Sequence, residues 1–389
     1  MLSAGEASGD NYGAMVISSL CENLRQRSSS GLQAFGLGGE KMRLAGCELI
    51  VDAHAVAAVG ITEIVTHLPD IYRAYRRLVR ALRERRPDAL VLIDFPDVNF
   101  KLARHAHRLG IPVVFFVSPQ LWAWKPWRLR LVRRYVTRML VIFPFEEPFY
   151  RERGVNAEFV GHPLAELPQP SISREAFAAK HGLDARKPWI ALLPGSRRGE
   201  IALNAPELAR AALILDPAAF EFIVPVASTL SDASVGESFG SDAARMHFVP
   251  STDARAAMLH ARASIVASGT ATVEAALIGN PFVVVYRVSP LTYAIGKRLV
   301  RLKSYAMVNL IAGKQIVPEL IQDDFTAENV VRHIRPLLDD DAARRHMTDD
   351  LAQVRRQLHG KNGPAGGTKL GAIECVAAAV TQVVDRRTT

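Results

Sequence analysis

The 389-residue chain has little cysteine and no long apolar run. Its three cysteines, Cys21, Cys47 and Cys375, are scattered and form no CxxC pair and no cluster with histidine. This pattern argues against a disulfide framework or a zinc site and favours a reducing compartment. No apolar stretch approaches the roughly 18 residues of a membrane-spanning helix. The first residues also lack the basic and apolar regions of a secretion signal, so we expect none.

Acidic residues are fewer than basic ones, at 39 against 48, which gives a net charge of +9. A surplus of this sign indicates an anionic partner, and nucleic acid, an acidic membrane surface and a phosphorylated substrate all meet that description. The basic residues concentrate at 73–86, 125–138 and 297–303. The surplus is therefore local, which favours a basic patch over a general effect on solubility.

Short apolar runs of strand length alternate with longer stretches of helical pattern. Many of these runs are apolar at consecutive positions, which is typical of strands buried on both faces of a parallel sheet. The alternation predicts an α/β fold with two doubly wound, Rossmann-like domains facing a cleft. A proline- and serine-rich stretch interrupts the series once. We therefore predict a first domain over residues 1–165, a linker over 166–187, a second domain over 188–362 and a helical tail over 363–389.

A turn of small residues, Ser268, Gly269 and Thr270, follows an apolar run in the second half, and Glu274 comes shortly after it. This pattern reads as a strand, a tight turn and a helix N-terminus, where free N–H groups and the helix dipole favour an anion. Glu274 lies where the hydroxyls of a ribose would be bound. The turn thus predicts a site for a nucleotide diphosphate, and a plain turn with a capping Ser or Thr is the alternative.

A second turn in the same half contains Gly195, Ser196 and Arg197. The guanidinium of Arg197 would donate paired N–H bonds to phosphate oxygens and offset the charge of a departing diphosphate. The alternative for Arg197 is an ordinary surface arginine in water. No GxxxxGK[ST] phosphate-binding loop occurs anywhere in the chain.

In the first half, polar residues occupy the corresponding positions after two predicted strands. Glu6, Ser8 and Asp10 lie between glycines before a helix, although helix capping alone would explain Ser8 and Asp10. Asp94 and Asp97 flank a proline directly after a buried strand. A carboxylate in a closed cleft is a suitable base for an acceptor hydroxyl. We predict Asp97 as that base and Asp94 as a positioning group, and one of the two is expected to cap a turn.

Residues 71–83 form an amphipathic pattern with an arginine face that includes Arg73, Arg76, Arg77 and Arg80. The simpler interpretation is a helix whose apolar side packs on the sheet while the arginines face water. The alternative is a helix at a membrane surface. Trp122 and Trp124 lie among cations further along the chain, a mixture suited to lipid headgroups. Nucleic acid is disfavoured as a partner because no known nucleic-acid module surrounds these residues.

The motifs taken together resemble those of the lipid-A-disaccharide synthases, a family of glycosyltransferases. They are residues 4–10 (AGEASGD), 60–63 (GITE), 94–99 (DFPDVN), 117–124 (VSPQLWAW), 143–146 (FPFE), 161–163 (GHP), 193–197 (LPGSR), 268–274 (SGTATVE) and 308–310 (VNL). Matches run in family order from residue 4 to about residue 322. A set this long and ordered is more specific than any single motif.

The resemblance implies a fold of the GT-B type, with an acceptor-side first domain and a donor-binding second domain. It implies an inverting transfer, without metal or cofactor, from UDP-2,3-diacylglucosamine to 2,3-diacylglucosamine 1-phosphate, with UDP released. Glu6, Ser8, Asp10 and Asp94 would then serve the acceptor, and Asn309 would contact the donor. The acyl chains would bring the enzyme to the anionic inner face of the cytoplasmic membrane, from the cytoplasm.

Two other functions remain open at this point. One is another UDP-sugar enzyme of the same fold, such as a UDP-N-acetylglucosamine 2-epimerase, and the other is a non-catalytic membrane or nucleic-acid binding protein. The oligomeric state also remains open, with a homodimer among the alternatives. The chain departs from the family in having only three residues before Ala4. We expect a protein extended upstream to have a more complete first strand and a higher Tm.

Overall fold

The computed structural model describes residues 1–27, 31–53, 64–289, 293, 304–360 and 370–388. The family motif at 60–63 and the basic cluster at 297–303 lie outside these residues. The chain divides into two compact units. One consists of Met1–Glu166 with Leu358–Thr389, and the other of Leu167–Gln357.

The first unit is built on a parallel sheet. In its described residues the strands are β1 (Leu2–Ala4), β2 (Ala34–Gly38), β3 (Cys47–Asp52), β4 (Leu90–Ile93), β5 (Val113–Phe116), β6 (Arg138–Val141) and β7 (Ala157–Phe159). The helices are α1 (Ala7–Arg27), α2 (Glu40–Leu44), α3 (Ile64–Arg85), α4 (Pro96–Arg108), α5 (Leu129–Tyr135) and α6 (Glu146–Arg151). The strand order is β3-β2-β1-β4-β5-β6-β7, so the order reverses between β1 and β4.

The second unit repeats this architecture. Its described strands are β8 (Trp189–Leu193), β9 (Glu221–Val226), β10 (Met246–Pro250), β11 (Ala263–Ala267), β12 (Phe282–Tyr286) and β13 (Glu319–Ile321). Its helices are α7 (Arg174–His181), α8 (Arg198–Leu215), α9 (Asp232–Phe239), α10 (Ala254–His260), α11 (Thr270–Ile278), α12 (Met307–Ala312), α13 (Ala327–Asp339) and α14 (Asp341–Leu358). The parallel order is β10-β9-β8-β11-β12-β13, with its reversal between β8 and β11.

The central strands are buried along their whole length. All residues of β4 and β5 are buried, and so are all residues of β8 and β11. Their consecutive apolar residues fit a sheet covered by helices on both faces, as the sequence pattern predicts. The predicted fold class, two doubly wound parallel α/β domains, is therefore confirmed. Strand β1 is only three residues long, yet it pairs with both β2 and β4.

Two segments differ from the domain boundaries expected from composition. Residues 166–187, expected as a linker, contain α7, whose Phe177 is fully buried with its ring 5.8 Å from that of Trp189. The chain also returns to the first unit at Leu358, where its carbonyl oxygen accepts a hydrogen bond from the His162 amide at 2.8 Å. The fold of residues 166–187 and the return of the chain to the first unit both depend on tertiary packing, which composition does not reveal.

The last helix, α15 (Ala372–Thr388), belongs to the first unit. The Ala372 amide donates to the carboxylate of Glu166, and Arg138 Nη1 donates to Gln382 Oε1 at 2.7 Å. These contacts attach the C-terminal helix to β6 and to the end of the first segment. In the part of the chain that the structure describes, no helix has the length and apolar character needed to cross a bilayer.

Candidate functional site

The polar motifs follow the four strands that flank the two reversals of strand order. In the first unit they follow β1 and β4, and in the second unit they follow β8 and β11. Ligands of open α/β sheets bind outside the carboxyl ends of strands at such points. Each unit therefore has a candidate binding edge of its own, and the motif residues lie on it.

In the first unit, Asn99 joins the ends of β1 and β4. This buried side chain on α4 donates from Nδ2 to the Asp94 oxygen at 2.6 Å and to the Ser3 oxygen at 3.3 Å. Its Oδ1 accepts the Ser3 hydroxyl at 2.6 Å. Sequence reasoning assigned no role to Asn99, although its place in the 94–99 motif was a usable signal. Its contacts hold the Asp94 backbone at a φ of 46°, in the left-handed region.

Gly5 permits the β1 and β4 loops to come together. A Cβ atom at this position would lie 2.4 Å from the ring of Phe95, which follows Asp94 in the left-handed region. Such a contact is too short for any side chain, so the close approach requires glycine. The packing of Phe95 against Gly5 places the Asp94 loop beside the loop that carries Glu6.

Asp94 is an unusual carboxyl group. Burial, reinforced by the negative charge of Glu6, raises its pKa from 3.8 to about 6. A carboxyl group with a pKa in this range exchanges protons near neutral pH, and such groups concentrate at functional sites. Glu6 and Ser8 are exposed at the start of α1, on the same edge of the sheet.

Asp97 lies in the first turn of α4, and its side chain is 69% exposed. It forms an ion pair with Arg128, whose side chain is only 16% exposed. The predicted base is thus an accessible carboxylate held by a largely buried guanidinium. Sequence reasoning did not identify Arg128, which lies 31 residues away.

Asp10 has a structural task in the first unit. Its Oδ1 accepts the amides of Gly39 and Met42 at 2.7 and 3.0 Å, and its Oδ2 accepts the Lys41 amide at 3.0 Å. These amides belong to the N-terminal turn of α2, so Asp10 satisfies donors that a helix leaves unpaired. The arrangement corresponds to helix capping, the alternative given for this residue, and supplies no support for acceptor binding.

In the second unit, a carboxylate occupies the turn between β8 and α8. Glu200 Oε2 accepts the Ser196 and Arg197 amides at 3.1 and 3.3 Å, and Oε1 accepts Arg197 Nη1 at 3.2 Å. Gly195 has a φ of +129°, and a Cβ there would lie 2.8 Å from Glu200 Oε2. The turn therefore binds an anionic group already, one supplied by the chain itself. The S/T-x-x-E signature of a capping box is absent here, because an arginine occupies position 197, so the local sequence did not predict the role of Glu200.

The turn between β11 and α11 is more open. Gly269 and Thr270 are exposed, and Ser268 Oγ lies 3.5 Å from the Tyr305 oxygen. Glu274 is half-buried one turn into α11, and burial raises its pKa while the charge of Arg255 opposes the rise. The exposed turn and the carboxylate behind it fit the predicted contacts to a diphosphate and a ribose.

Asn309 is 2% exposed and makes four hydrogen bonds within the protein. Its Oδ1 accepts the Ile316 and Val317 amides at 2.7 and 3.0 Å, and its Nδ2 donates to the Val317 oxygen and to Glu319 Oε1. Glu319 also accepts the Tyr305 and Ala306 amides. Asn309 thus binds the segment that follows α12, and Glu319 links that segment to the residues before the helix, so the amide of Asn309 is not presented to a ligand in this arrangement.

The arginine face of α3 is exposed at Arg73, Arg76, Arg77 and Arg80. Its opposite side packs into the core, where Leu78 and Leu82 are buried. Arg73 and Arg80 pair with acidic residues of the same helix at 2.5 and 2.8 Å. The apolar side therefore covers the sheet, as the simpler interpretation predicts, and the arginines lie at the surface.

The tryptophans of the 117–127 segment divide into two kinds. Trp124 and Trp127 are 38% and 56% exposed, and Lys125 Nζ lies 4.0 Å from the centre of the Trp124 ring. Trp122 instead turns inward, donating from Nε1 to Glu146 Oε1 at 3.1 Å. The surface position predicted for Trp124 agrees with the structure, whereas Trp122 anchors the segment.

Glu146 is a fully buried carboxyl group at the centre of this anchor. It accepts the Ser118 hydroxyl at 2.6 Å and the Phe143 amide at 3.2 Å, in addition to the Trp122 indole. Burial raises its pKa from 4.5 to about 7. Glu146 thereby joins the loops that follow β5 and β6. Among the described residues, no three His, Cys, Asp or Glu side chains come together as metal ligands.

Comparison with known proteins gives the family. A sequence model of the lipid-A-disaccharide synthetase family matches residues 1–364. The lipid-A-disaccharide synthase of Acidobacterium capsulatum is 56% identical over 369 residues, covering 92% of this chain and 91% of the relative. That of Koribacter versatilis is 49% identical over 387 residues, covering 100% and 99%. The chain belongs to the lipid-A-disaccharide synthase family. It is accordingly a glycosyltransferase of lipid A biosynthesis.

Solved structures show the fold that members of this family share with more distant enzymes. The calicheamicin glycosyltransferase CalG4 has a TM-score of 0.59 at 16% identity, covering 100% of this chain and 97% of its own. The UDP-GlcNAc 2-epimerase of Neisseria meningitidis has a TM-score of 0.58 at 13% identity, covering 99% and 98%. At such identities the likeness concerns the fold alone, and it confirms the GT-B type for this lipid-A-disaccharide synthase family member.

Proposed function

We propose that this enzyme joins UDP-2,3-diacylglucosamine to 2,3-diacylglucosamine 1-phosphate, giving the β-1,6-linked lipid A disaccharide 1-phosphate and UDP. The observation that carries the proposal is the position of four family motifs, at 4–10, 94–99, 193–197 and 268–274, which lie at the carboxyl ends of the strands flanking both reversals of strand order. The epimerase alternative has support only from the fold, and no residue contact favours it.

Asp97 is the proposed general base. It takes the proton of the acceptor 6-hydroxyl as the oxygen forms a bond to the anomeric carbon of the donor. The bond from that carbon to the diphosphate breaks, and UDP leaves with the electron pair and inversion of configuration. The accessibility of Asp97 to a substrate and its fixed contact with Arg128 support this role. Asp94, behind it on the same loop, is the proposed positioning group.

The second unit is the proposed donor site. Its N-terminal turns of α8 and α11 supply backbone N–H groups for the diphosphate, and the 70% exposed side chain of Arg197 supplies a guanidinium. Such a donor offsets the charge that develops on the departing UDP, so the proposed mechanism requires neither a metal nor a cofactor. Glu274 is proposed to accept the ribose hydroxyls.

The exposed arginines of α3, with Trp124 and Trp127, form the proposed contact with an anionic membrane surface. Guanidinium groups attract anionic headgroups, and indole rings partition to the interface between headgroup and acyl chain. The basic and aromatic side chains belong to the same unit as the proposed base. This contact would bring the enzyme to acylated substrates at the inner face of the cytoplasmic membrane.

The proposed reaction is tested by incubating the protein with both acylated sugars in mild detergent and EDTA and detecting the disaccharide phosphate by mass spectrometry. Asp97→Asn is expected to lower kcat by a factor of about 10² to 10⁴ with an unchanged Tm. Asp349→Asn, which changes an exposed aspartate on α14, is the matched control and should retain wild-type turnover. Turnover of UDP-N-acetylglucosamine in place of the acylated sugars would support the epimerase, and an active Asp97→Asn variant would exclude Asp97 as the base.

A further inference from the structure

The ion pair at the proposed base is asymmetric. Asp97 extends into solvent, whereas Arg128 is largely buried and pairs through Nη2 with Asp97 Oδ1. Two freely mobile side chains on a surface gain little from pairing, because both lose conformational freedom. Here one partner is already fixed by the fold. The arginine therefore determines where the aspartate lies, and not the reverse.

Three sets of contacts fix Arg128. Its guanidinium carbon lies 5.8 Å from the ring centre of Phe100, a buried residue one turn along α4 from Asp97. Its amide donates to the Lys125 oxygen at 3.0 Å, closing the turn that leads into α5. The segment before that turn is attached to the core through the hydrogen bonds of Ser118 and Trp122 to Glu146. The guanidinium thus approaches Asp97 from a rigid frame.

We propose that Arg128 is a positioning residue for the general base, an inference that rests on the proposed function. By binding Oδ1, it sets the rotamer of Asp97 and presents Oδ2 to the acceptor hydroxyl. A carboxylate without this contact would sample several rotamers in water. Small displacements of a catalytic group lower turnover strongly, since reaction requires a near-attack geometry.

A lysine would replace only part of this function. The ammonium group supplies the charge, but it lacks the planar fork that packs over an aromatic ring and points one N–H at a single oxygen. The order of activity expected from the geometry is therefore arginine, then lysine, then glutamine at position 128. If Arg128 had only a structural role, the order of activity among these variants would instead follow the order of their Tm values.

The test compares Arg128→Gln and Arg128→Lys with Arg130→Gln, which removes the same charge from an exposed position on α5. Disaccharide formation gives kcat and the KM of each sugar, and calorimetry gives Tm. We expect Arg128→Gln to lower kcat about 10- to 100-fold with both KM values within about twofold, and Arg128→Lys to restore part of kcat. Arg130→Gln should match the wild type.

Chemical rescue supplies a second measurement, which does not depend on how well the glutamine variant folds. Millimolar guanidinium is expected to raise the kcat of Arg128→Ala several-fold and to leave Arg130→Ala unchanged. Equal kcat in Arg128→Gln and Arg130→Gln, or an Arg128→Ala variant that guanidinium does not activate, would overturn the inference. Wild-type protein that forms no disaccharide would instead refute the proposed function, and the inference with it.

Discussion

Replacing Asp94 by asparagine removes a carboxylate that is unfavourable for the folded state. Its pKa rises from 3.8 to about 6 because of burial and the charge of Glu6, so the folded protein holds the Asp94 proton more tightly than the unfolded chain does. One pKa unit corresponds to about 1.4 kcal/mol, so the ionised side chain lowers the free energy of unfolding by about 3 kcal/mol above pH 6.

The sign of the pH dependence follows from the same shift. Below about pH 3 both states carry the proton, and Asp94 does not affect stability. As the pH rises from 4 to 6, the unfolded chain loses its proton first, so stability falls, and above pH 6 the loss is constant. Asparagine has the same shape, adopts the left-handed backbone of this position readily, and does not titrate.

We therefore expect Asp94→Asn to raise the free energy of unfolding at pH 7.5 by about 1 to 3 kcal/mol, the range allowing for hydrogen bonds that asparagine makes less well. This corresponds to a Tm increase of about 3 to 8 °C for a unit of this size. At pH 5.0 the increase should fall to about half. Turnover should decline, since stabilising changes at functional sites commonly reduce activity.

Differential scanning calorimetry of both proteins at the two pH values provides the measurement. Asp97→Asn is the matched control, because it removes an exposed carboxylate from the same loop and should change Tm little or lower it slightly. A lower Tm for Asp94→Asn at pH 7.5 would refute the argument. An increase of equal size at pH 5.0 and 7.5 would refute it too, because the effect would then not come from the proton.

Two further predictions concern helix capping and the basic face. Asp10→Ala should lower the free energy of unfolding by about 2 to 4 kcal/mol, since it leaves three amides of α2 without an acceptor, while kcat per folded molecule stays near wild type. Urea unfolding measures the first quantity and steady-state kinetics the second, with Glu22→Ala, at an exposed acidic residue of α1, as the control. A fourfold variant replaces the exposed arginines of α3 by serine, at Arg73, Arg76, Arg77 and Arg80. It should sediment less with anionic vesicles but equally with neutral ones, and added salt should weaken wild-type binding to the anionic vesicles in the same way. Unchanged sedimentation would show that α3 has only a structural role.

Local patterns in the sequence were sufficient to predict where the candidate sites lie. A buried apolar run followed by small or acidic residues indicates the carboxyl end of a strand, and β4 with Asp94 and β11 with Ser268 both follow this rule. Because β1 pairs with β4 and β8 pairs with β11, the four turns that follow these strands form two candidate sites, one in each unit. That pairing depends on tertiary packing, which local sequence patterns do not encode.

The roles of single polar residues were harder to predict. Asp10 and Asn309 have the right residue types for binding a ligand, but backbone amides 29 to 32 and 7 to 8 positions away already satisfy them. Arg128 has the residue type of a solvated surface cation, yet the fold buries it beside Asp97. The hydrogen-bond partners that the fold supplies decide such cases, and neither periodicity nor spacing encodes them.

The carboxylate of Glu200 has a consequence for the proposed donor site. By accepting the Ser196 and Arg197 amides, it occupies donors that the proposed diphosphate would use, so a diphosphate bound at this turn would have to displace Glu200. Other small anions in solution would likewise have to compete with this tethered carboxylate for the two amides. A small molecule that displaces Glu200 with a carboxylate of its own would accept the same Ser196 and Arg197 amides that Glu200 accepts.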